Sequence, residues 1–297
     1  MYHSIRIIPD GYQLYAGKNL RGKNTWDDWH LIPKERPLFN PPAPKYNFLD
    51  LPGANGTVDL SDVLSNRYPV YEDRKGSIEF YVMNGYKEWY NAYSDIMNYC
   101  HGEKCKLILE DEPTYYYRGR VSVNAWRSEK DWSKIVLDYQ LEPFKYELFD
   151  STEPWHWDPF SFIDGVITNS EEWVGEDGTG FIVGGAGNTT VSKVIAVTRM
   201  PVCPVFSIKC TSDTVSASSK LTIKLYRYYS QGTYEMTTHT FTAPDNETHE
   251  VEYQDIVLIN YNHRYAMDAD NTKMLLKFST TGSETFKVIG RFRRGIL

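Results

Sequence analysis

The chain has 297 residues, with 32 Lys and Arg against 39 Asp and Glu, for a formal net charge of −7 at pH 7. That length predicts about two domains, each able to bury a core of its own. With 41% hydrophobic and 24% charged residues and a mean hydropathy of −0.51, the composition excludes a disordered chain. Membrane insertion is excluded too, because the longest apolar runs are strand-sized, far short of the roughly 20 residues of a span.

In chain order, Met1 to Pro9 lacks the apolar core of a signal peptide because Arg6 interrupts it, so synthesis and first folding in the cytosol are expected. Trp26-Asp-Asp-Trp-His-Leu-Ile-Pro33 then precedes a proline arm, Pro37 to Lys45. There Pro41-Pro42-Ala43-Pro44 must run extended, since proline fixes φ and disfavours helix before it. Phe48 to Leu51 and Thr57 to Ser61 read as two strands, joined by a Pro52-Gly53-Ala54-Asn55-Gly56 turn whose glycines supply positive φ. Tyr71 and Arg74 lead into the alternating strand Ser77-Ile-Glu-Phe-Tyr-Val.

From Tyr86 to His101 the period changes. Trp89, Tyr93, Ile96, Met97 and Cys100 fall on one face of a helix, with Gly102 placed to end it in a left-handed conformation. Lys106 to Glu110, Tyr115 to Trp126 and Ser133 to Leu141 then form an antiparallel meander. Its first turn carries Glu110, Asp111 and Glu112, which are expected to face water.

A boundary falls near Asp150, dividing the chain into domains 1–149 and 150–297. Asp150 to Ser192 holds eight acids and no Lys or Arg, the composition of a solvated rim or a weak cation site, and the absence of regular EF-hand ligand spacing favours the rim. Thr189–Val197, Val205–Thr211, Leu221–Tyr228, Val251–Ile259, Met274–Ser279 and Phe286–Phe292 read as short strands. Their density, without helical period, predicts a β-sandwich. The fold class is therefore mainly β.

No catalytic pattern is present: no G-x-S-x-G elbow, no H-E-x-x-H, and no phosphate loop, and the seven histidines are scattered. Cys100, Cys105, Cys203 and Cys210 lack zinc or dithiol spacing and are expected to be reduced and packed as small hydrophobes. The expectation is a chain that is not an enzyme and carries no cofactor or metal. Its even, mildly acidic charge also argues against sequence-specific binding of nucleic acid. The excess of aromatics, with 23 Tyr, 13 Phe and 8 Trp, suits half-buried sheet surfaces and interfaces. Trp155, Trp157 and Trp173 are either glycan-stacking platforms or plugs in a core.

Several of these pieces, in this order, carry a resemblance over about the first half of the chain. They are Asp28-Trp29 with Leu31, the proline arm ending at Lys45, Asp50-x-Pro52-Gly53-x-x-Gly56 with Asp59-Leu60, and the Arg74 strand. The tyrosine-rich helix ending at His101-Gly102, and Gly119-Arg120 before a meander closing on Pro143-Phe144-Lys145, complete the set. This succession resembles the distal tail proteins of long-tailed phages and prophages of Gram-positive bacteria.

The resemblance implies a structural protein of the virion's distal tail tip. Its N-terminal domain would be a β-sandwich-like unit with one helix and an extended arm, assembling as a hexameric ring on the tail tube protein. Its C-terminal domain would be a galectin-like or carbohydrate-module-like sandwich. The ring would join the tube to tail-tip or receptor-binding proteins and let DNA pass. Trp29, Pro41, Pro42, Phe48 and Arg74 would then serve the ring or partner interface, or else fill their own domain's core. A monomeric carbohydrate-binding module for host-surface glycans is the alternative, and mass in solution separates the two.

Overall fold

The computed structural model describes residues 2–10, 22–61, 63–65, 69–152, 171–185, 189–211, 215, 219–229, 232–259, 273–281 and 284–297. The chain divides into two compact units, Met1–Tyr146 with Leu297, and Glu147–Ile296.

The first unit contains strands β1 (Ile5–Pro9), β2 (Lys23–Asn24), β3 (Leu31–Pro33), β4 (Phe48–Asp50) and β5 (Thr57–Asp59), then a 3-10 turn at Val63–Ser65. It continues through β6 (Arg74–Val82), helix α1 (Trp89–Cys100), β7 (Lys104–Leu109), β8 (Tyr115–Ser128), β9 (Ser133–Leu141) and β10 (Lys145–Glu147). Its main sheet runs β2-β1-β7-β8-β9-β6-β3, with β10 beside β8. Every pair along that path is antiparallel. The strands are therefore hydrogen-bonded as one continuous sheet.

Register explains why one face is apolar. Ile7 lies opposite Leu107 and Ile5 opposite Leu109, while Phe80 faces Ile135 and Ile78 faces Leu137. A two-residue period places these pairs on the same side, and that side holds the core. Helix α1 lies on it through Trp89, Ala92, Ile96 and Cys100, spaced three and four apart so that they share one stripe. It starts at Trp89, later than the period suggests, because Tyr86 to Glu88 form a turn. It ends as expected, with Gly102 at φ +78°, and the Gly102 N–H bonds the Val121 carbonyl at 2.7 Å, which ties the helix end to β8.

The second unit contains α2 (Glu171–Val174), β11 (Phe181–Gly184), β12 (Thr190–Ala196), β13 (Val205–Cys210), β14 (Lys220–Tyr229) and β15 (Gly232–Thr242). β16 (Thr248–Glu252), β17 (Lys273–Thr280), β18 (Thr285–Arg291) and β19 (Gly295–Ile296) follow. Two four-stranded sheets, β11-β18-β13-β16 and β12-β17-β14-β15, face each other across a core that includes Phe206, Phe278, Phe286, Ile208, Ile223 and Val288. This is a β-sandwich, and the chain as a whole is mainly β.

Two strands differ from the sequence reading. The segment expected at Val251 to Ile259 pairs instead at Thr248–Glu252 against β13, and the Ile256 N–H closes a turn on the Tyr253 carbonyl at 3.0 Å. Ile256 is buried in that turn and Leu258 in an isolated bridge to Val202, so their apolar character mimicked a continuous strand. Strand β15 escaped notice because its alternation is of threonines rather than aliphatics.

Gly119 marks the closest approach of two main chains in the large sheet. A Cβ there would stand 2.2 Å from the Gln140 carbonyl oxygen and 2.6 Å from the Leu141 Cα. Backbone on both sides cannot yield as a side chain would, so Gly119→Ala is expected to cost about 1–3 kcal/mol in chemical denaturation. An unchanged denaturation midpoint would show that β8 and β9 do not approach so closely.

Candidate assembly interface

The proline arm begins at a clamp. Pro37 is buried, and Phe39 is buried against Tyr117 and Tyr139, with ring centroids 4.5 and 4.9 Å away. The Asn40 N–H donates to the Tyr139 hydroxyl at 3.0 Å, and its side-chain amide donates to the Lys75 carbonyl at 2.8 Å. Arg74 supports the same point from beneath. Its Nε donates to the Pro143 carbonyl at 2.9 Å and its Nη1 to the Asn40 carbonyl at 3.1 Å, while its guanidinium lies 5.5 Å from the Tyr117 ring centroid. Only 5% of Arg74 is exposed, so its charge is held by carbonyl dipoles and an aromatic face instead of water.

Beyond the clamp the arm does not run alone. Pro44 bridges Tyr71, the Lys45 N–H bonds the Val70 carbonyl at 2.8 Å, and the Glu72 N–H bonds the Ala43 carbonyl at 2.7 Å. The Leu60 N–H bonds the Asn47 carbonyl at 2.8 Å, and β4 pairs with β5 from Phe48–Asp59 to Asp50–Thr57. The turn at the tip places Gly53 and Gly56 at φ +82° and +76°, as the sequence requires. The arm is thus the outgoing half of a two-stranded ribbon, not a single strand lacking a partner.

The ribbon's main chain is paired along its inner edges, but its side chains are uncovered. All six residues of β4 and β5 are exposed. Phe48 is 56% exposed and Tyr46 68%, with Leu49, Leu51, Val58 and Val63 also open to solvent. A two-stranded ribbon is marginal in water, and one with apolar residues on both faces has no side to turn toward solvent. The chemistry of this site is association, through apolar area on an extended, hydrogen-bonded support.

The structure separates the five residues singled out from sequence. Phe48 stands exposed on the ribbon. Pro41 is exposed and Pro42 half-buried, and together with Arg74, Phe39, Tyr71 and Leu297 they line an open pocket of about 390 Å³ at the arm's root. Trp29 and Arg74 belong to the unit's own interior. Trp29 is 1% exposed, and its indole N–H donates to Asp95 at 2.6 Å. The residues that sequence reading missed are Tyr46, Leu49, Leu51, Val58 and Val63. Adjacent apolar residues such as Phe48-Leu49 were the signal, because a half-buried strand would alternate.

The glycan candidates fare differently. Trp155 and Trp157 lie outside the described residues. Trp173 is 3% exposed, with Phe292 and Phe181 edge-on at 5.0 and 6.3 Å. It fits so tightly over Gly290 that a Cβ there would meet the indole at 2.4 Å. Trp173 is a core plug and offers no stacking face.

The three carboxylates after β7 do more than face water. Glu110 accepts the Ser4 N–H at 2.8 Å, Asp111 lies 2.9 Å from both His3 Nδ1 and Arg36 Nε, and Glu112 pairs with Lys145. Glu110 and Asp111 tie the start of the chain and the entrance to the arm to one hairpin tip, and Glu112 ties that tip to β10. Among the described residues no cluster of His, Cys, Asp and Glu is placed to hold a metal, and no helix is long and apolar enough to cross a membrane. Cys100, Cys105 and Cys210 are buried, whereas Cys203 is partly exposed, and all four are free. Burial pushes the Cys100 and Cys105 thiols up to about 12, where thiolate chemistry is suppressed.

No protein-family model matches the sequence, and no curated protein matches it. Among solved structures the chain is similar to the SPP1 phage Dit protein (gp 19.1), which is described as a paradigm of the hub adsorption apparatus in phages infecting Gram-positive bacteria. That likeness has a TM-score of 0.53 at 11% identity and covers 99% of each chain. A second likeness, to infectious bursal disease virus Gx strain, has a TM-score of 0.24 at 13% identity and covers 99% of this chain and 68% of that one. The first shows the fold, which is Dit-like and mainly β.

Two outcomes follow from the clamp. Arg74→Ala strands the Asn40 and Pro143 carbonyls in a buried site and is expected to cost about 1–3 kcal/mol. It should also speed proteolysis between Phe39 and Tyr46, and equal cleavage rates would mean that Arg74 does not hold the arm.

At Asp111 burial raises the pKa, but hydrogen bonds from His3 and Arg36 outweigh it and hold the carboxyl below the ordinary value. A depressed carboxylate stabilises above its unfolded pKa of about 3.9, and that stabilisation is lost as pH falls through the folded value. Amide exchange at the hairpin tip, corrected for its intrinsic pH dependence, should therefore accelerate below about pH 4. Asp111→Asn should remove that acceleration, and a variant that kept it would place its origin elsewhere.

Proposed function

We propose that this protein is a structural connector of a phage tail tip, a distal-tail hub whose first unit closes into a hexameric ring on the tail tube. The observation that carries this reading is the ribbon, whose backbone is paired while its apolar side chains stand in solvent. The Dit-like fold across 99% of both chains supports it. A ribbon that projects from each subunit onto a different surface of the next makes a heterologous contact, and such contacts close into a ring when the rotation fits. Covering Phe48, Leu49 and Val58, each about half exposed, would contribute about 1 kcal/mol apiece, repeated at every interface of the ring.

The extended support keeps the ordering cost of that contact low, because the ribbon is hydrogen-bonded before it docks. The second unit would form the outward platform on which tail-tip or receptor-binding proteins dock, as a galectin-like sandwich would. DNA passing through the ring needs no specific contact, and a mildly acidic wall would repel phosphate instead of retaining it. A channel lined by Arg or Lys would contradict that last point.

The test is mass in solution, alone and mixed with the tube protein. The parent chain is expected to sediment at about six times 34.5 kDa, alone or once the tube protein is added. Phe48→Ser with Leu49→Ser should stay monomeric while unfolding within about 0.5 kcal/mol of the parent, since surface changes cost little. Rings formed equally well by the variant, or a parent that remains monomeric even with its tube protein, would overturn the reading.

A further inference from the structure

The outward face of the sheet β12-β17-β14-β15 differs in charge from the rest of an acidic chain. Register lays it out in rows that cross all four strands. Ser192 lies beside Lys277, Lys277 beside Lys224, and Lys224 beside Thr238. One row along, Thr190, Ser279, Thr222 and Thr240 stand side by side. On the other flank run Val194, Leu275 and Tyr226, with Glu235 at the end. Lys220 and Lys273 extend the face at its two ends, and both are exposed. Rows on one side of a strand are about 7 Å apart, so hydroxyls, ammonium groups and an aromatic-aliphatic strip lie within the span of a few sugar units.

The lysine row is costly to the fold. Lys224 and Lys277 are direct cross-strand neighbours, and like charges so placed repel. Glu235 is the sole acid of this face among the described residues, and it pairs with Lys224 at 2.9 Å. Lys277, Lys273 and Lys220 have no ion pair among the described residues. The opposite sheet shows what a solvated face of this unit looks like without such an excess. There Glu250 and Glu252 offset Lys209 and Arg291, and Lys287 is tied to Asp177 at 3.1 Å.

We propose that this face binds a phosphate-bearing glycan or polyol chain, with the lysines taking the phosphates, the threonine and serine row taking hydroxyls, and Tyr226 flanking the chain. Ammonium groups on flexible stems suit phosphodiesters, which need charge more than a fixed fork. Hydroxyl side chains both donate and accept, as a polyol does. The face is complete in one copy of the chain, so binding is independent of whether a ring forms.

The probe is poly(glycerol phosphate), compared with inorganic polyphosphate of similar charge and with neutral dextran. The protein is expected to bind poly(glycerol phosphate) several-fold more tightly than polyphosphate, and dextran not at all. Lys224→Gln with Lys277→Gln should weaken that binding roughly tenfold at 50 mM salt and flatten its salt dependence. Thr222→Val should weaken it a few-fold and leave the salt dependence unchanged. Lys277→Gln alone should melt no lower than the parent, because it relieves a repulsion and keeps the Lys224–Glu235 pair. No binding at low salt, or equal binding of polyphosphate, would overturn the proposal. So would a self-association of the parent that the lysine variant abolishes, which would make the face a contact between copies.

Discussion

A β-ribbon of two strands pairs its backbone along one edge of each strand and covers neither face. In this protein both open faces are apolar. In the two cores the same chemistry is closed off. In the first unit the helix lies over the sheet's apolar side, and in the second each sheet covers the other. The ribbon between Ala43 and Glu72 gathers Tyr46, Phe48, Leu49, Leu51, Val58 and Val63 in the open on one paired support, and the proposed function rests on what could cover them.

That surface is useful only if it is held in place. The root is clamped by groups that would be expensive to bury alone: an arginine satisfied by two carbonyls and a tyrosine face, an asparagine bonded through both its main chain and its side chain, and a phenylalanine wedged between two tyrosines. Nearby, Glu110 and Asp111 fasten the start of the chain and the arm's entrance to one hairpin tip, and Glu112 fastens that tip to Lys145 of β10. The clamp sets where the ribbon leaves, and its ladder of hydrogen bonds carries that direction outward. Rigidity of this kind lowers the entropy lost on docking and favours one geometry of contact over many.

The likeness to SPP1 Dit at 11% identity is intelligible in these terms. A sheet asks that alternate positions be apolar and that glycine stand where main chains crowd, and many sequences meet those demands. The surface is freer still. The second unit keeps its sandwich through inward residues such as Phe278 and Ile223, which leaves its outward positions open to rows of lysine and threonine that the fold itself does not need.

Local periodicity was enough for helix α1, the meander β7–β9, the turn glycines at 53 and 56 and the sandwich of the second half. Each of those depends on neighbours within a few residues, and the chain carries that information directly. It could not say which tryptophan or arginine is inside. Trp29, Trp173 and Arg74 have the composition of contact residues and became core only when distant strands enclosed them. Nor could it place Ile256, buried in a turn, or Leu258, whose partner is the distant Val202 and not a strand of the sheet. The ribbon shows the same division. Its proline arm and turn were legible, but that the arm is paired with the chain returning through Tyr71, and that its apolar side chains face solvent on both sides, depends on contacts across nearly thirty residues. Such contacts exist only once the sheet beneath has folded.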